Sequence, residues 1–279
     1  DRFDLILIDE AHMLPPDGEG MYRTFLSEAR IVNPNVRLVG LTATPYRMTT
    51  GMICGPAPEN LLNHVCYEVG VRELIVQGYL CPLKTKAGRR KVDTSGLHIR
   101  GGEFIAGEVE ALMDDDSLVR SACREIVDQT TDRHSVLIFA AGVQHALHVQ
   151  RVTGEMGHEC GFVCGDTLPF ERAETLKRFK DGELKYLVNV NVLTTGFDAP
   201  NIDCVALLRP TNSPGLYYQM VGRGFRLDPT KDNCLVLDFG GNILRHGPVD
   251  ALEIKDRSSG NGEAPAKECP QCQAVIHAA

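Results

Sequence analysis

The stretch VLIFAAGVQHALHVQRVTGEM, Val136 to Met156, decides the fold class. Its opening residues, Val136 to Ala141, form an unbroken apolar run, the pattern of a strand covered on both faces. Gly142 ends the run, and Val143, Ala146 and Leu147 then fall on one side of a helix that closes near Met156. Largely apolar runs of strand length recur at Phe3 to Ile8, Val36 to Leu41, Tyr186 to Val192, Val205 to Leu208 and Leu235 to Phe239. The segment PFERAETLKRFKDG, Pro169 to Gly182, opens on proline and stops at glycine, as a helix does. Strands that alternate with helices predict an α/β fold built on parallel sheets.

Outward from these elements the pattern loosens. From about Gly51 to Asp116 glycine and proline cluster, and an acidic knot stands at Asp114, Asp115 and Asp116, so the crossing between two domains is expected here. The basic patch KTKAGRRK, Lys84 to Lys91, suits a solvated linker or an edge strand better than a phosphate-backbone contact on charge alone. Beyond Asp250 the polar run DRSSGNGEAPAKE reads as a flexible tail. The expected organisation is a first domain part over 1–86 including the crossing, a second domain over 87–249, and a tail over 250–279. No internal repeat of fixed period is present.

Composition narrows the class. Of 279 residues, 43% are hydrophobic and 24% charged, which excludes a disordered, collagen-like or membrane-spanning chain. The net charge of −8 provides no global positive field for nucleic acid or anionic lipid, so any phosphate contact must be local. Eight of the 10 cysteines lie in or beside apolar runs without disulfide-scaffold spacing, which favours reduced thiols and a cytoplasmic setting. Asp1 stands just ahead of a strand with neither an initiator methionine nor a preceding helix, and a fragment of something longer is expected.

Chemistry concentrates in three places. In LILIDEAH, Leu5 to His12, a buried-type strand ends in Asp9 and Glu10, at the carboxyl edge where parallel sheets bind ligands. One carboxylate can hold Mg²⁺ through water while the other orients a nucleophilic water; the bland alternative is an acidic strand end opening a loop. In GLTATPYR, Gly40 to Arg47, Thr42 and Thr44 place hydroxyls at a strand terminus, where they can relay hydrogen bonds or simply satisfy the local backbone. In SPGLYYQMVGRGFR, Ser213 to Arg226, Ser213 and Pro214 predict a helix start. Gln219, Arg223 and Arg226 follow at spacings that put them on one helical face, suited to stabilising charge on a transferring phosphoryl group.

In this order the segments resemble the superfamily 2 helicases and translocases, motors of two RecA-like domains. DEAH is similar to motif II, TAT to motif III, VLIFAAG to motif IV, LTTGFDAPNID to motif V and QMVGRGFR to motif VI. The segments VQGYLCPL, RPTNSPGLYYQMVGRGFRLD and LVLDFGGNILRHGP resemble the RadD-like bacterial DNA-repair branch. The resemblance implies ATP and Mg²⁺ as cofactors, with Asp9 binding the metal through water, Glu10 polarising the attacking water and His12 coupling hydrolysis to motion. Thr42 and Thr44 would link the domains, and Thr194 and Thr195 would contact a nucleic-acid backbone. Gly196 and Asp198 would tie that contact to the nucleotide, and Gln219, Arg223 and Arg226 would complete the ATP site. A cysteine-rich ribbon in that branch makes Cys269 and Cys272 half of a zinc site, with further ligands downstream.

No GxxxxGK[ST] loop occurs in the 279 residues. The resemblance places that loop ahead of motif II, so an amino-terminal truncation is expected, with turnover belonging to the full-length protein. The function expected is an ATP-dependent nucleic-acid motor, DNA-directed, bacterial or phage-encoded, with DNA-repair partner proteins and no membrane partner. Two alternatives stay open: the motor subunit of a restriction system, and a non-catalytic module that clamps nucleic acid without turnover.

Overall fold

The computed structural model describes residues 2–14, 20–43, 46–47, 51–55, 60–194, 196–249, 266–269 and 273–277. The chain divides into two compact units, the first ending at Glu68 and the second beginning at Val69. The domain boundary expected at residue 86 therefore lies inside the second unit, because the strand at its end pairs there.

In the first unit β1 (Leu5–Ile8) and β2 (Arg37–Gly40) pair in parallel, with α1 (Met21–Val32) between them in sequence, followed by the short antiparallel pair β3 (Tyr46–Arg47) and β4 (Gly51–Met52). The run at β1 was expected to be covered on both faces, yet Leu5 and Leu7 remain 52% and 62% exposed. Leu5 and Leu7 alternate with the half-buried Ile6 and Ile8, so both exposed side chains stand on the same, uncovered face of the strand.

The second unit opens with α2 (Val71–Val76) and β5 (Leu83–Ala87), then the small hairpin β6 (Ile99–Arg100) and β7 (Glu103–Phe104). After it come α3 (Ala106–Met113), α4 (Asp116–Gln129), β8 (Val136–Ala140), α5 (Val143–Glu155), β9 (Cys160–Val163), α6 (Pro169–Lys180) and β10 (Tyr186–Asn189). β11 (Cys204–Leu208), α7 (Pro214–Val221), β12 (Cys234–Asp238) and α8 (Asn242–His246) complete the main body. Six strands form one all-parallel sheet in the order β5-β12-β11-β8-β10-β9, the sheet expected of the second RecA-like domain. Alternate residues of its central strands feed opposite cores: Leu137, Phe139, Val205 and Leu207 pack with Phe179 of α6 and Tyr217 of α7. Ile138, Val188, Ala206 and Leu237 pack with Ile126 of α4 and Val149 of α5 on the other face. A strand buried on both faces needs this near-continuous apolar sequence.

Several local expectations change. The basic patch is not among them: its first residues lie in β5, an edge strand, one of the two readings expected. Of the face expected for α5, Ala146 is buried but Leu147 is 39% exposed, and His145, Val149, Val152 and Thr153 are buried with Ala146. The expected flexible tail ends in structure: β13 (Ala266–Glu268) and β14 (Val275–His277) pair antiparallel. Thr85 Oγ1 of β5 donates to Val275 O (2.9 Å), Ala87 N donates to Gln273 O (3.0 Å), and Val275 is buried. An added hairpin of this kind covers an open strand edge. Cys54, Cys66, Cys81, Cys123, Cys160, Cys164, Cys204 and Cys234 are free thiols. No helix among the described residues is long and apolar enough to cross a membrane.

Burial gives this unit a pH signature. His145 Nδ1 accepts from Ala141 N (3.1 Å), and burial holds its pKa down to about 4; burial holds His246 at about 4 as well. A histidine kept neutral in the fold contributes stability above its unfolded pKa of 6.5 that is lost as pH falls through about 4. For His145 the span corresponds to roughly 3 kcal/mol. Buried Asp238, raised to about 6, acts in the opposite sense, since its protonation on acidification relieves a buried charge. His145→Asn keeps an acceptor for Ala141 N but does not titrate. It is expected to flatten the fall in urea midpoint between pH 7 and pH 4, and an acid limb as steep as wild type would contradict this.

Candidate functional site

One group of candidate residues gathers at the carboxyl ends of β1 and β2 in the first unit. Leu41 N donates to Ile8 O (2.8 Å) and Ala11 N donates to Leu41 O (2.9 Å), so the two strand exits are tied together. Asp9 follows β1 and is exposed; its Oδ1 accepts from Glu10 N (2.9 Å). Glu10 has φ 49° and ψ 46°, left-handed backbone that costs a side-chain-bearing residue ~1–2 kcal/mol and commonly marks a functional constraint. His12 lies in the one-turn 3₁₀ helix Ala11–Met13. Its Nδ1 is 2.9 Å from Thr42 Oγ1 and 3.3 Å from Glu10 Oε2. The acidic pair and the hydroxyl segment, 30 residues apart in sequence, are thus joined through one imidazole. Asp9 and Glu10 provide oxygen donors, the ligand type Mg²⁺ requires. Thr44 lies outside the described residues.

A second group sits in the second unit, on the loop after β10 and at the end of α7. Gly196 has φ +68°, a conformation glycine adopts without a Cβ penalty. Ser213 caps α7 as expected, its Oγ accepting from Leu216 N (3.2 Å), with Pro214 at the first helical position. The single helical face expected for Gln219, Arg223 and Arg226 does not form. The α-helix ends at Val221, Gly222–Gly224 tighten into a 3₁₀ turn, and Arg226 follows beyond it. The loop holds the two arginines instead: Arg223 Nη1 donates to Phe197 O (2.7 Å) and its Nε to Gln219 O (3.3 Å). Arg226 Nε pairs with Asp198 Oδ1 at 2.6 Å. Gly196, Asp198, Gln219, Arg223 and Arg226 are therefore one cluster, with Thr194 half-buried on the same loop. Thr195 lies outside the described residues.

The zinc expectation has a turn but no complete donor set. Gln273 N donates to Cys269 O (2.9 Å) and Cys269 N to Ala274 O (2.8 Å), closing the β13–β14 turn. Cys272 lies outside the described residues, and no group of three His, Cys, Asp or Glu among the described residues is arranged to hold a metal. Sequence reading also passed over Glu103, Thr211, Asn242 and Arg245. Their only signal was that Thr211, Asn242 and Arg245 fall in the segments RPTNSP and DFGGNILRHG, which matter through contacts between distant parts of the chain.

Comparison with known proteins places the fold among helicase domains. Residues 118–228 match the helicase conserved C-terminal domain. The chain is 29% identical over 242 residues to IRC3 of Saccharomyces cerevisiae, which carries the designation of an ATP-dependent helicase, covering 85% of this chain and 34% of that protein. It is 30% identical over 256 residues to irc3 of Schizosaccharomyces pombe, designated a mitochondrial ATP-dependent helicase, covering 88% of this chain and 39% of that one. The chain thus spans little more than a third of the length of these curated relatives. In fold it is similar to a fragment described as an HsdR subunit of a type I restriction enzyme from Vibrio vulnificus YJ016. The TM-score is 0.68 at 22% identity, over 91% of this chain and 47% of that one.

Proposed function

We propose, for a chain that belongs to the superfamily 2 helicases, that the full-length protein is an ATP-dependent nucleic-acid motor, DNA-directed and acting in DNA repair as in the RadD-like branch. The observation that carries the proposal is the Glu10–His12–Thr42 linkage, which gives a water-orienting carboxylate a built connection to a second strand exit. Asp9 would hold Mg²⁺ through water, and the metal would neutralise charge on the transferring phosphoryl group of ATP. Glu10 would hold and deprotonate the attacking water, and His12 would pass the change at Glu10 to Thr42 and, with Thr44, to motion. Arg223 and Arg226 would meet the charge developing on the γ-phosphate, with Gln219 and Asp198 setting their positions. Thr194 and Thr195 would contact the nucleic-acid backbone beside Gly196.

The net charge of −8 is compatible with this, because backbone tracking needs a local groove and oriented amides rather than a basic protein. Thr194→Ala and Thr195→Ala are expected to weaken single-stranded DNA binding by similar factors for unrelated base sequences, as backbone contacts carry no base information. Fluorescence-anisotropy titrations on several sequences measure this, and a sequence-selective loss would contradict it. The function itself is tested by ATP-dependent displacement of a labelled strand, or of streptavidin from a biotinylated strand end, with DNA and RNA substrates in parallel. Movement on DNA supports the motor. ATP-dependent DNA cleavage would favour a restriction motor, and binding without ATP consumption a non-catalytic clamp.

A further inference from the structure

Thr211, fully buried between β11 and α7, has every polar atom engaged by groups drawn from separate parts of the second unit. Its N donates to Asn242 Oδ1 (2.8 Å), and its O accepts from Arg245 Nη1 (3.3 Å) and His246 Nε2 (2.9 Å). Its Oγ1 donates to Glu103 Oε2 and accepts from Ser213 N (3.0 Å). Glu103 also reaches the next residue, its Oε1 accepting from Asn212 N (2.7 Å), while Asn212 Nδ2 donates to Gly102 O (2.9 Å). The β6–β7 hairpin, more than a hundred residues earlier in the chain, therefore grips the turn that carries the cap of α7.

The opposite side of that turn is equally fixed. Asn242 Nδ2 donates to Arg209 O (2.9 Å) and to Asp238 Oδ1 (3.0 Å), and Asp238 accepts from Gly240 N (3.1 Å) and Ile243 N (2.7 Å). Gly240 permits the approach, since a Cβ there would lie 2.5 Å from Arg209 O. Arg245 binds Thr94 Oγ1 (2.6 Å) and stacks over the Phe104 ring at 5.1 Å, joining this side to the hairpin. A helix whose root is held from two sides presents its far end reproducibly, and misplacement of a catalytic group by about 1 Å can cost ~10²-fold in rate.

We propose that Glu103 is a positioning residue: by holding Thr211 and Asn212 it sets the root of α7 and, through the helix, the placing of Gln219 and Arg223. The role rests on the ATPase reading above. Glu103→Ala removes both acceptors and leaves Asn212 N and the Thr211 hydroxyl without their partner. Glu103→Gln keeps a carbonyl for Asn212 N and an amide within reach of Thr211 Oγ1.

In the full-length protein, Glu103→Ala is expected to lower kcat for nucleic-acid-stimulated phosphate release about 10- to 100-fold, with KM for ATP within about twofold. Glu103→Gln should restore kcat to within roughly threefold of wild type. Thr211→Val added to Glu103→Ala should cost less than the sum of the two changes, because both remove the Thr211 Oγ1–Glu103 bond while each also loses a bond of its own. Hydrogen exchange at the amides of Leu216 to Val221 should speed about tenfold in Glu103→Ala and not in Glu103→Gln. Wild-type kcat in Glu103→Ala, or a Glu103→Gln variant as slow as Glu103→Ala, would overturn the proposal. Should the wild-type protein hydrolyse no ATP, the functional reading falls by itself. The exchange comparison still decides the brace, and equal exchange in all three proteins would overturn it.

Discussion

Replacing Glu10 by Gln in the full-length protein is expected to lower nucleic-acid-stimulated phosphate release by ~10²–10⁴-fold, the range contributed by a positioned general base. ATP affinity should stay close to wild type, because Asp9, the residue assigned to Mg²⁺, is untouched. The comparison is clean at the level of the backbone. Glu10 stands in left-handed backbone, and Gln pays the same conformational cost, so a loss of turnover cannot be assigned to relief or addition of strain. Gln also retains an oxygen that can face His12, which lies 3.3 Å from Glu10 Oε2. What the variant lacks is the negative charge that, in the proposed reading, takes a proton from water. Steady-state kinetics with nucleotide binding measured separately reads the outcome, and wild-type turnover would remove Glu10 from the chemistry.

The second large effect belongs to the arginines. Arg223→Ala is expected to lower kcat by ~10³-fold or more if its guanidinium stabilises the transferring phosphoryl group. Arg223 also donates to Phe197 O and Gln219 O, so the alanine variant loosens the loop as well as removing charge. Arg223→Lys separates the two: it keeps the charge but not the planar fork, and should remain well below wild type while exceeding the alanine variant. Arg226 offers a different control. Its pair with Asp198 has side chains 32% and 69% exposed, so the ion pair contributes at most ~1 kcal/mol to stability. Asp198→Asn should therefore leave the urea midpoint nearly unchanged, whereas Arg226→Ala should lower kcat by orders of magnitude. Unchanged kcat in both Arg223→Ala and Arg226→Ala would return this segment to an ordinary loop-and-helix junction.

Much of the second unit was legible because strands buried on both faces leave unbroken apolar runs. Val136–Ala140, Cys204–Leu208 and Cys234–Asp238 lie within a residue or two of the predicted segments, and α6 starts at the predicted proline. β9 escaped notice because its four residues, Cys160–Val163, include Gly161, whose missing side chain leaves room for Leu184 and Thr175. β5 was read as a linker or edge strand because LKTKA alternates charge with apolar character, which is how an edge strand differs from a central one. In the candidate site, sequence order pointed to the segments but not to how they touch. The His12–Thr42 contact follows from two parallel strands ending side by side, which their alternation with a helix implies. The departure of Arg226 from the helix was hidden, since Gly222 and Gly224 fit a helical spacing as readily as the turn they form. The Thr211 junction depends on Glu103, Asn242 and Arg245, whose partners lie 31 to 151 residues away, beyond the reach of any local pattern.

If the Asp9–Glu10–His12 group and the Arg223–Arg226 group serve one nucleic-acid-driven ATP hydrolysis, as proposed, neither can be lost without losing that hydrolysis. The most direct measurement is phosphate release by the full-length protein, with and without single-stranded DNA, run side by side for wild type, Glu10→Gln and Arg223→Ala at saturating ATP. The expected result is DNA-stimulated release in wild type and no stimulation in either variant, with DNA binding retained in all three. Release in wild type that is indifferent to DNA, or stimulation that survives in either variant, would contradict it.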